Sequence, residues 1–301
     1  MPTITHGKSV VFHANVKDAC LLRVDHVQIG CIFVPGDFIQ QQDKASMFQD
    51  AQSMFHMSQC DDSNRVGTKR GPGIAKAIGF NLAACHHGKI KTYKHANVPE
   101  NNRIKIWTTA LNHLDTVTRV LKHHMCGAPI RMLRHSITEH VHGIPNMDSM
   151  PTFRDTFTSL HVGTNDEVWP HIDEGDLKYS VLTWSSTSGS GLFLVHDLGL
   201  RFETKVRFSR TFVPYCISID MALSNIVKSS QDGTIMFLDT RHRVHGTPPT
   251  IAPFGTRYGC AWVTNKRILS TAKNTLRRGE LPNWLEELEP KFCKDFKGTS
   301  K

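Results

Sequence analysis

The chain has 301 residues, 39% of them hydrophobic and 21% charged, with 36 Lys and Arg against 27 Asp and Glu for a formal net charge of +9. That composition excludes wholesale disorder and fibrous repeats, and the length is enough to bury a core without disulfides. No apolar run approaches the roughly 18 residues of a membrane span, and Met1–His6 lacks the pattern of a secretory signal, so the expectation is a protein of the nucleus or cytoplasm that is neither secreted nor membrane-bound.

In chain order, residues 8–40 alternate apolar and polar in short runs and read as edge or hairpin strands. Residues 40–65 read as an insertion or a loosely packed helix. Arg70-Gly-Pro-Gly73 is a loop that lacks the order of a phosphate-cradling motif, and Ile74–Ala84 fits a strand entering the core. Nine basic residues between Arg65 and Lys105 (65, 69, 70, 76, 89, 91, 94, 103 and 105) face one acidic residue, Glu100. Such an excess suits a polyanion, with nucleic acid the expected partner.

From Arg103 to Met125 the apolar positions Trp107, Leu111, Leu114, Val117 and Leu121 recur at steps of four and three, the period of an amphipathic helix. His113 and Asp115 of this segment are expected to face away from the core. A loop-like stretch through Gly143-Ile-Pro and Met150-Pro leads into Phe153–Val162. From there to Asn265 the chain becomes short runs rich in Val, Leu, Phe, Thr and Trp between turns, including Tyr179–Trp184, Gly191–Val195, Leu200–Phe202, Thr234–Leu238 and Tyr258–Val263. Strands at this spacing imply a sandwich or jelly roll. Ile268 to Lys301 reads as one or two helices around Pro282-Asn-Trp-Leu. The expected fold class is α+β, a jelly-roll barrel with flanking helices. The expected divisions are 1–64, N-terminal strands and a variable segment; 65–265, the main domain with a barrel core at about 153–265; and 266–301, a helical tail.

The eight cysteines are scattered and read as buried, reduced thiols. Among 18 histidines, the pair His123-His124 and the group His135, His140 and His142 lack carboxylate or Cys partners at metal-ligand spacing. His171-Ile-Asp173 differs. It follows Trp169-Pro170 at a strand border, and residues i and i+2 of an extended segment share one face, so both side chains can approach one ion. That is two thirds of a 2-His-1-carboxylate triad, which leaves positions open on iron(II). The third ligand is either His242 or His245, with His245 preferred because Gly246 permits close approach of the chain. Arg257, at the start of the next strand, suits a carboxylate held by two parallel hydrogen bonds.

The ordered set His171-Ile-Asp173, His245-Gly246 and Arg257, with Ser188-Gly-Ser-Gly-Leu-Phe-Leu-Val-His-Asp-Leu-Gly-Leu-Arg-Phe202 between, resembles the TET/JBP family of nucleic-acid dioxygenases in its fungal form. The resemblance spans roughly residues 65–265. It implies a double-stranded β-helix, with His171, Asp173 and His245 as metal ligands for Fe(II). It further implies that Arg257 binds the cosubstrate 2-oxoglutarate, and that O2 is consumed to oxidise 5-methylcytosine or thymine in nucleic acid. The segment 203–232 departs from the family pattern, being longer than the connection expected there. It is either an inserted loop over the site or a disturbance of the barrel. The same four residues serve equally in a hydroxylase of protein side chains, and a degenerate, non-catalytic nucleic-acid-binding barrel is the remaining alternative.

Overall fold

The computed structural model describes residues 3–6, 8–14, 20–24, 28–34, 36–58, 74–82, 89–93, 99–125, 127–144, 149–165, 167–186, 190–198, 200–205, 226–230, 233–248, 256–280, 282 and 284. The N-terminal part forms β1 (Thr3–His6), β2 (Lys8–Ala14), β3 (Cys20–Val24), β4 (Gln28–Val34), α1 (Gln41–Met57), β5 (Ile74–Asn81) and β6 (Lys91–Thr92). Two helices follow, α2 (Glu100–Met125) and α3 (Ala128–His140). The C-terminal part carries β7 (Ser159–Thr164), β8 (Val168–His171), β9 (Ser180–Ser186), β10 (Ser190–Val195), β11 (Leu200–Lys205), β12 (Ile226–Ser230), β13 (Thr234–Leu238), β14 (His245–Thr247), β15 (Arg257–Val263) and α4 (Lys266–Arg277).

The strand order identifies the barrel. The larger sheet runs β1-β2-β3-β4-β13-β9-β15-β7-β5-β6 and the smaller β12-β11-β10-β14-β8. Along the chain β7, β8, β9 and β10 fall alternately in the two sheets, and β13, β14 and β15 do so again. A chain that winds between two facing antiparallel sheets in this way is a double-stranded β-helix, here formed by β13-β9-β15-β7 against β11-β10-β14-β8. The long connection after Phe202 does not disturb it, since β11 and β13 both occupy barrel positions and β12 adds parallel to β11 at the sheet edge. Of the segment 203–232, read as an inserted loop over the site or a disturbance of the barrel, residues 206–225 and 231–232 lie outside the described residues.

Strand parity divides β15 between two environments. Arg257, Gly259, Ala261 and Val263 line the barrel interior. Tyr258 and Trp262 belong to the core under the helices, where Trp262 meets Phe153 and Phe157 at ring-centroid distances of 5.3 and 5.6 Å. On α2 the expected stripe Trp107, Leu111, Leu114, Val117 and Leu121 is buried throughout, and Ile106, Ala110 and Val120 are buried beside it. The stripe is wider than expected. His113 is fully buried, accepting from Trp262 Nε1 (3.1 Å) at Nδ1 and lying 3.4 Å from Thr183 Oγ1 at Nε2. It does not face away from the core, because two partners on the larger sheet satisfy both ring nitrogens. Asp115 does stay at the surface, paired with Arg154 at 3.2 Å.

Two further expectations need correction. Residues 40–65 contain a packed helix rather than a loose one, because α1 buries Met47, Ala51 and Met54 against the rest of the core. The stretch after Met125 is not all loop, since α3 starts from Gly127 in the left-handed region, places Pro129 in its first turn and buries Ile130, Leu133 and Ile137. In the tail, α4 is capped by Asn265 Oδ1, which accepts from the backbone N–H of Arg267 and Ile268. Beyond it Trp284 is buried and donates to the Ser149 carbonyl (2.9 Å), while most of the remaining tail lies outside the described residues. No helix among the described residues is long and apolar enough to cross a membrane.

Candidate metal centre

The site is built where β8 and β14 meet in the smaller sheet. His171 pairs with His245 and Val168 with Thr247, so β8 spends three steps where β14 spends two, and the extra residue makes a bulge. Gly246 lies against that bulge. A Cβ there would stand 2.7 Å from the Val168 carbonyl oxygen, 3.2 Å from Pro170 N and 3.3 Å from the Trp169 carbonyl carbon, all backbone atoms. Glycine therefore lets the two strands nest, and the His171 and His245 rings come to a centroid distance of 4.4 Å. Asp173 follows two residues after His171, and its backbone N–H donates to the Thr240 carbonyl (3.0 Å), which ties it to the turn between β13 and β14.

His171, Asp173 and His245 offer ligand atoms that all lie within 4.8 Å of one another. Nε2 of His171 is 3.4 Å from Asp173 Oδ1, and Nε2 of His245 is 3.4 Å from Asp173 Oδ2. A cation about 2.1 Å from each of two ligands at a right angle separates them by about 3 Å, so this spacing fits one ion. The ring orientations agree. His171 Nδ1 lies 2.7 Å from the Trp169 carbonyl and His245 Nδ1 lies 2.9 Å from the Arg243 carbonyl. A carbonyl only accepts, so both Nδ1 atoms are donors, and each Nε2 is left facing Asp173 as a ligand atom. Burial opposes ionisation of Asp173, yet when a proton stands at each Nε2, in the place a cation would take, hydrogen bonds and charge from His171 and His245 outweigh it and hold the carboxyl well below the usual carboxylate range. The site thus keeps an anionic oxygen ligand between two imidazoles, a donor set that suits a divalent transition metal with positions open.

Arg257 is buried on the wall of the same 470 Å³ cavity. Its strand start is fixed by Asn165, which accepts from the Arg257 N–H at Oδ1 (2.9 Å) and donates its own N–H to the Arg257 carbonyl (3.0 Å). His242, the other candidate for third ligand, points elsewhere. Its Nδ1 lies 2.9 and 3.1 Å from the two oxygens of buried Asp239. The remaining histidines gather no metal set among the described residues: His135 pairs with Glu139 (3.1 Å) and His140 with Ser270 (3.0 Å).

Several wall residues escaped the sequence reading, including His161, Asn165, Trp184, Phe193 and Thr247. For β7 and β15 the signal was period-two parity with Arg257 as its reference, since His161 and Gly163 of β7 pair with the inward residues Ala261 and Gly259 of β15, and Asn165 follows directly after β7. Of the basic stretch, Lys89, Arg103 and Lys105 are exposed. Lys76 is instead turned inward, donating to the Phe55 carbonyl with its ammonium 4.3 Å from the Phe55 ring centroid. Arg65, Lys69, Arg70 and Lys94 lie outside the described residues. Cys260 is buried and its thiol is pushed up to about 12 by burial, as an inert thiol should be.

No protein-family model matches the chain, and no curated protein matches it in sequence. Several solved structures are similar to the chain at low identity and low TM-score. NgTET1 in complex with 5mC DNA is 11% identical over 83% of this chain and 80% of that chain, with a TM-score of 0.44. A prolyl hydroxylase from Trichoplax adhaerens, in complex with a hypoxia inducible factor peptide fragment, is 11% identical over 80% of this chain and 86% of that one, at 0.33. A dioxygenase for auxin oxidation from rice is 11% identical over 78% and 73%, at 0.36. At these scores the chemistry of the site rests on its own residues.

Proposed function

We propose that the chain is an iron(II)- and 2-oxoglutarate-dependent dioxygenase that oxidises a methylated base, 5-methylcytosine or thymine, in nucleic acid. The observation that carries the enzyme class is the convergence of His171, Asp173 and His245, both rings held by backbone carbonyls, on the cavity that Arg257 lines. His171, Asp173 and His245 would hold the iron and Arg257 the distal carboxylate of 2-oxoglutarate. The bound metal supplies the chemistry by which O2 is divided between 2-oxoglutarate, released as succinate and CO2, and a substrate C–H bond, which becomes C–OH. The chain's own contribution is placement and exclusion of water. Arg257 fixes a dicarboxylate by charge and fork geometry, and the apolar walls Leu182, Trp184 and Phe193 keep solvent from the reacting centre.

Nucleic acid as substrate is supported by the motif resemblance and by exposed Lys89, Arg103 and Lys105, which suit a phosphate backbone. A paired base would have to leave its stack to enter a cavity of this kind. A nuclear location follows from that substrate, and the division into 1–64, 65–265 and 266–301 remains our proposal for the domains. The test is succinate release from 2-oxoglutarate by iron-loaded protein on adding O2, with and without 5-methylcytosine DNA. Release that rises with DNA and is lost in Asp173→Ala supports the whole reading. Release indifferent to DNA would reject the substrate and favour a protein side chain, and iron-free, inactive protein would leave a binding module.

A further inference from the structure

Trp184 sits on β9 directly opposite Gly259 of β15, one inward position along from the Arg257–Ser186 pair. Its indole lies over the glycine: a Cβ at 259 would stand 3.5 Å from Trp184 Cδ1 and 3.6 Å from Nε1. Phe193 holds the ring from the smaller sheet, at a centroid distance of 4.8 Å and an interplanar angle of 49°. Trp184, Gly259 and Arg257 all line the metal cavity.

The indole N–H is what remains to be accounted for. Buried indole N–H groups ordinarily have an acceptor, and two others here do: Trp262 donates to His113 and Trp284 to the Ser149 carbonyl. Trp184 is only 7% exposed as a residue, yet its Nε1 meets no acceptor among the described residues and is not itself enclosed by protein, so the N–H opens into the cavity that the ring lines. Glycine at 259 leaves that N–H uncovered beside Arg257, whereas a longer side chain would lie across it. A carboxylate has about four acceptor positions and an arginine fork uses two of them, so one anionic group can serve both donors.

We infer that Trp184 is a second binding residue for 2-oxoglutarate, donating its indole N–H to the distal carboxylate that Arg257 holds. This rests on the proposed reading of the site. It makes the cavity selective for a dicarboxylate over a 2-oxo acid that has only the metal-binding end, and it gives Gly259 a reason to be glycine.

The test uses full-length protein with zinc as a diamagnetic occupant of the metal site and ¹⁵N-labelled indoles, followed by NMR. Five tryptophans give five indole signals, and the one missing from Trp184→Phe belongs to Trp184. Addition of 2-oxoglutarate should move that signal, while pyruvate, which lacks the distal carboxylate, should leave it in place. Calorimetry on the same samples should show 2-oxoglutarate binding weakened about fivefold to tenfold in Trp184→Phe, which keeps the ring packing, with pyruvate binding unchanged. If 2-oxoglutarate binds the wild type while the Trp184 signal stays still and the variant binds equally well, the inference is wrong and the site reading stands. If the wild type binds no 2-oxoglutarate at all, both fall.

Discussion

Replacing Gly246 by alanine tests whether the bulge contact is what brings the two histidines together. The new Cβ would meet the Val168 carbonyl oxygen at 2.7 Å, against 3.4 Å or more for an ordinary contact. The atoms it meets are backbone, so no side chain can swing aside, and β14 must retreat from β8 by about 0.7 Å. His245 rides on β14. The same retreat would stretch its 3.4 Å approach to Asp173 to about 4 Å, near the limit that a single ion with bonds of about 2.1 Å can span. The expected result is a loss of about 1–3 kcal/mol in unfolding free energy, from overpacking, and a 10- to 100-fold weaker ferrous affinity, the scale seen when the supports of metal ligands are removed. Urea denaturation and anaerobic metal titration measure the two effects. Gly259→Ala is the control, because its nearest neighbours are Trp184 side-chain atoms at 3.5 and 3.6 Å, so ferrous binding should persist. Wild-type stability and metal affinity in Gly246→Ala would refute this account of the bulge.

Burial holds His113 neutral, with a pKa lowered to about 4 against an ordinary 6.5. The unfolded chain therefore takes up this proton first, and stability from this group is complete above pH 6.5 and falls by about 3 kcal/mol down to pH 4. Urea denaturation across that range should show the slope in wild type and its loss in His113→Asn. Asp50 has the opposite sign: burial raises its carboxyl to about 6 despite a hydrogen bond with Ser46, so stability falls as pH rises from 3.8 through 6. Asp50→Asn should accordingly unfold at higher urea than wild type at pH 7.5, and no gain there would mean that solvent relaxes the charge. Arg257→Lys keeps the charge and loses the fork, so the 2-oxoglutarate concentration for half-maximal succinate release should rise about tenfold. An unchanged requirement would place the cosubstrate elsewhere.

What the sequence made legible is local. His171 and Asp173 are two residues apart, and a strand puts such a pair on one side without knowledge of the rest of the fold. Gly246 beside His245 likewise marked close approach before its neighbours in the bulge were visible. The α2 stripe was legible because one face of that helix is apolar at a regular step. His113 was misjudged because what makes it a core residue is an indole 149 positions away, a partner that periodicity does not register. Helix α3 was missed for a different reason, since Cys126-Gly-Ala-Pro129 reads as a break, and it is one, but Pro129 also suits the first turn of the next helix. Trp184 and Phe193 lie in strands whose place between two packed layers hides the alternation that would single out the cavity face.

The central claim is that His171, Asp173 and His245 hold one ferrous ion. Equilibrium dialysis against iron(II) without oxygen, followed by metal analysis, tests it most directly on wild type, Asp173→Ala, His245→Ala and His242→Ala. The account predicts about one iron per chain in wild type and in His242→Ala, since His242 is engaged with Asp239, and little or none in the other two. Iron retained by Asp173→Ala or His245→Ala, or lost in His242→Ala, would contradict it.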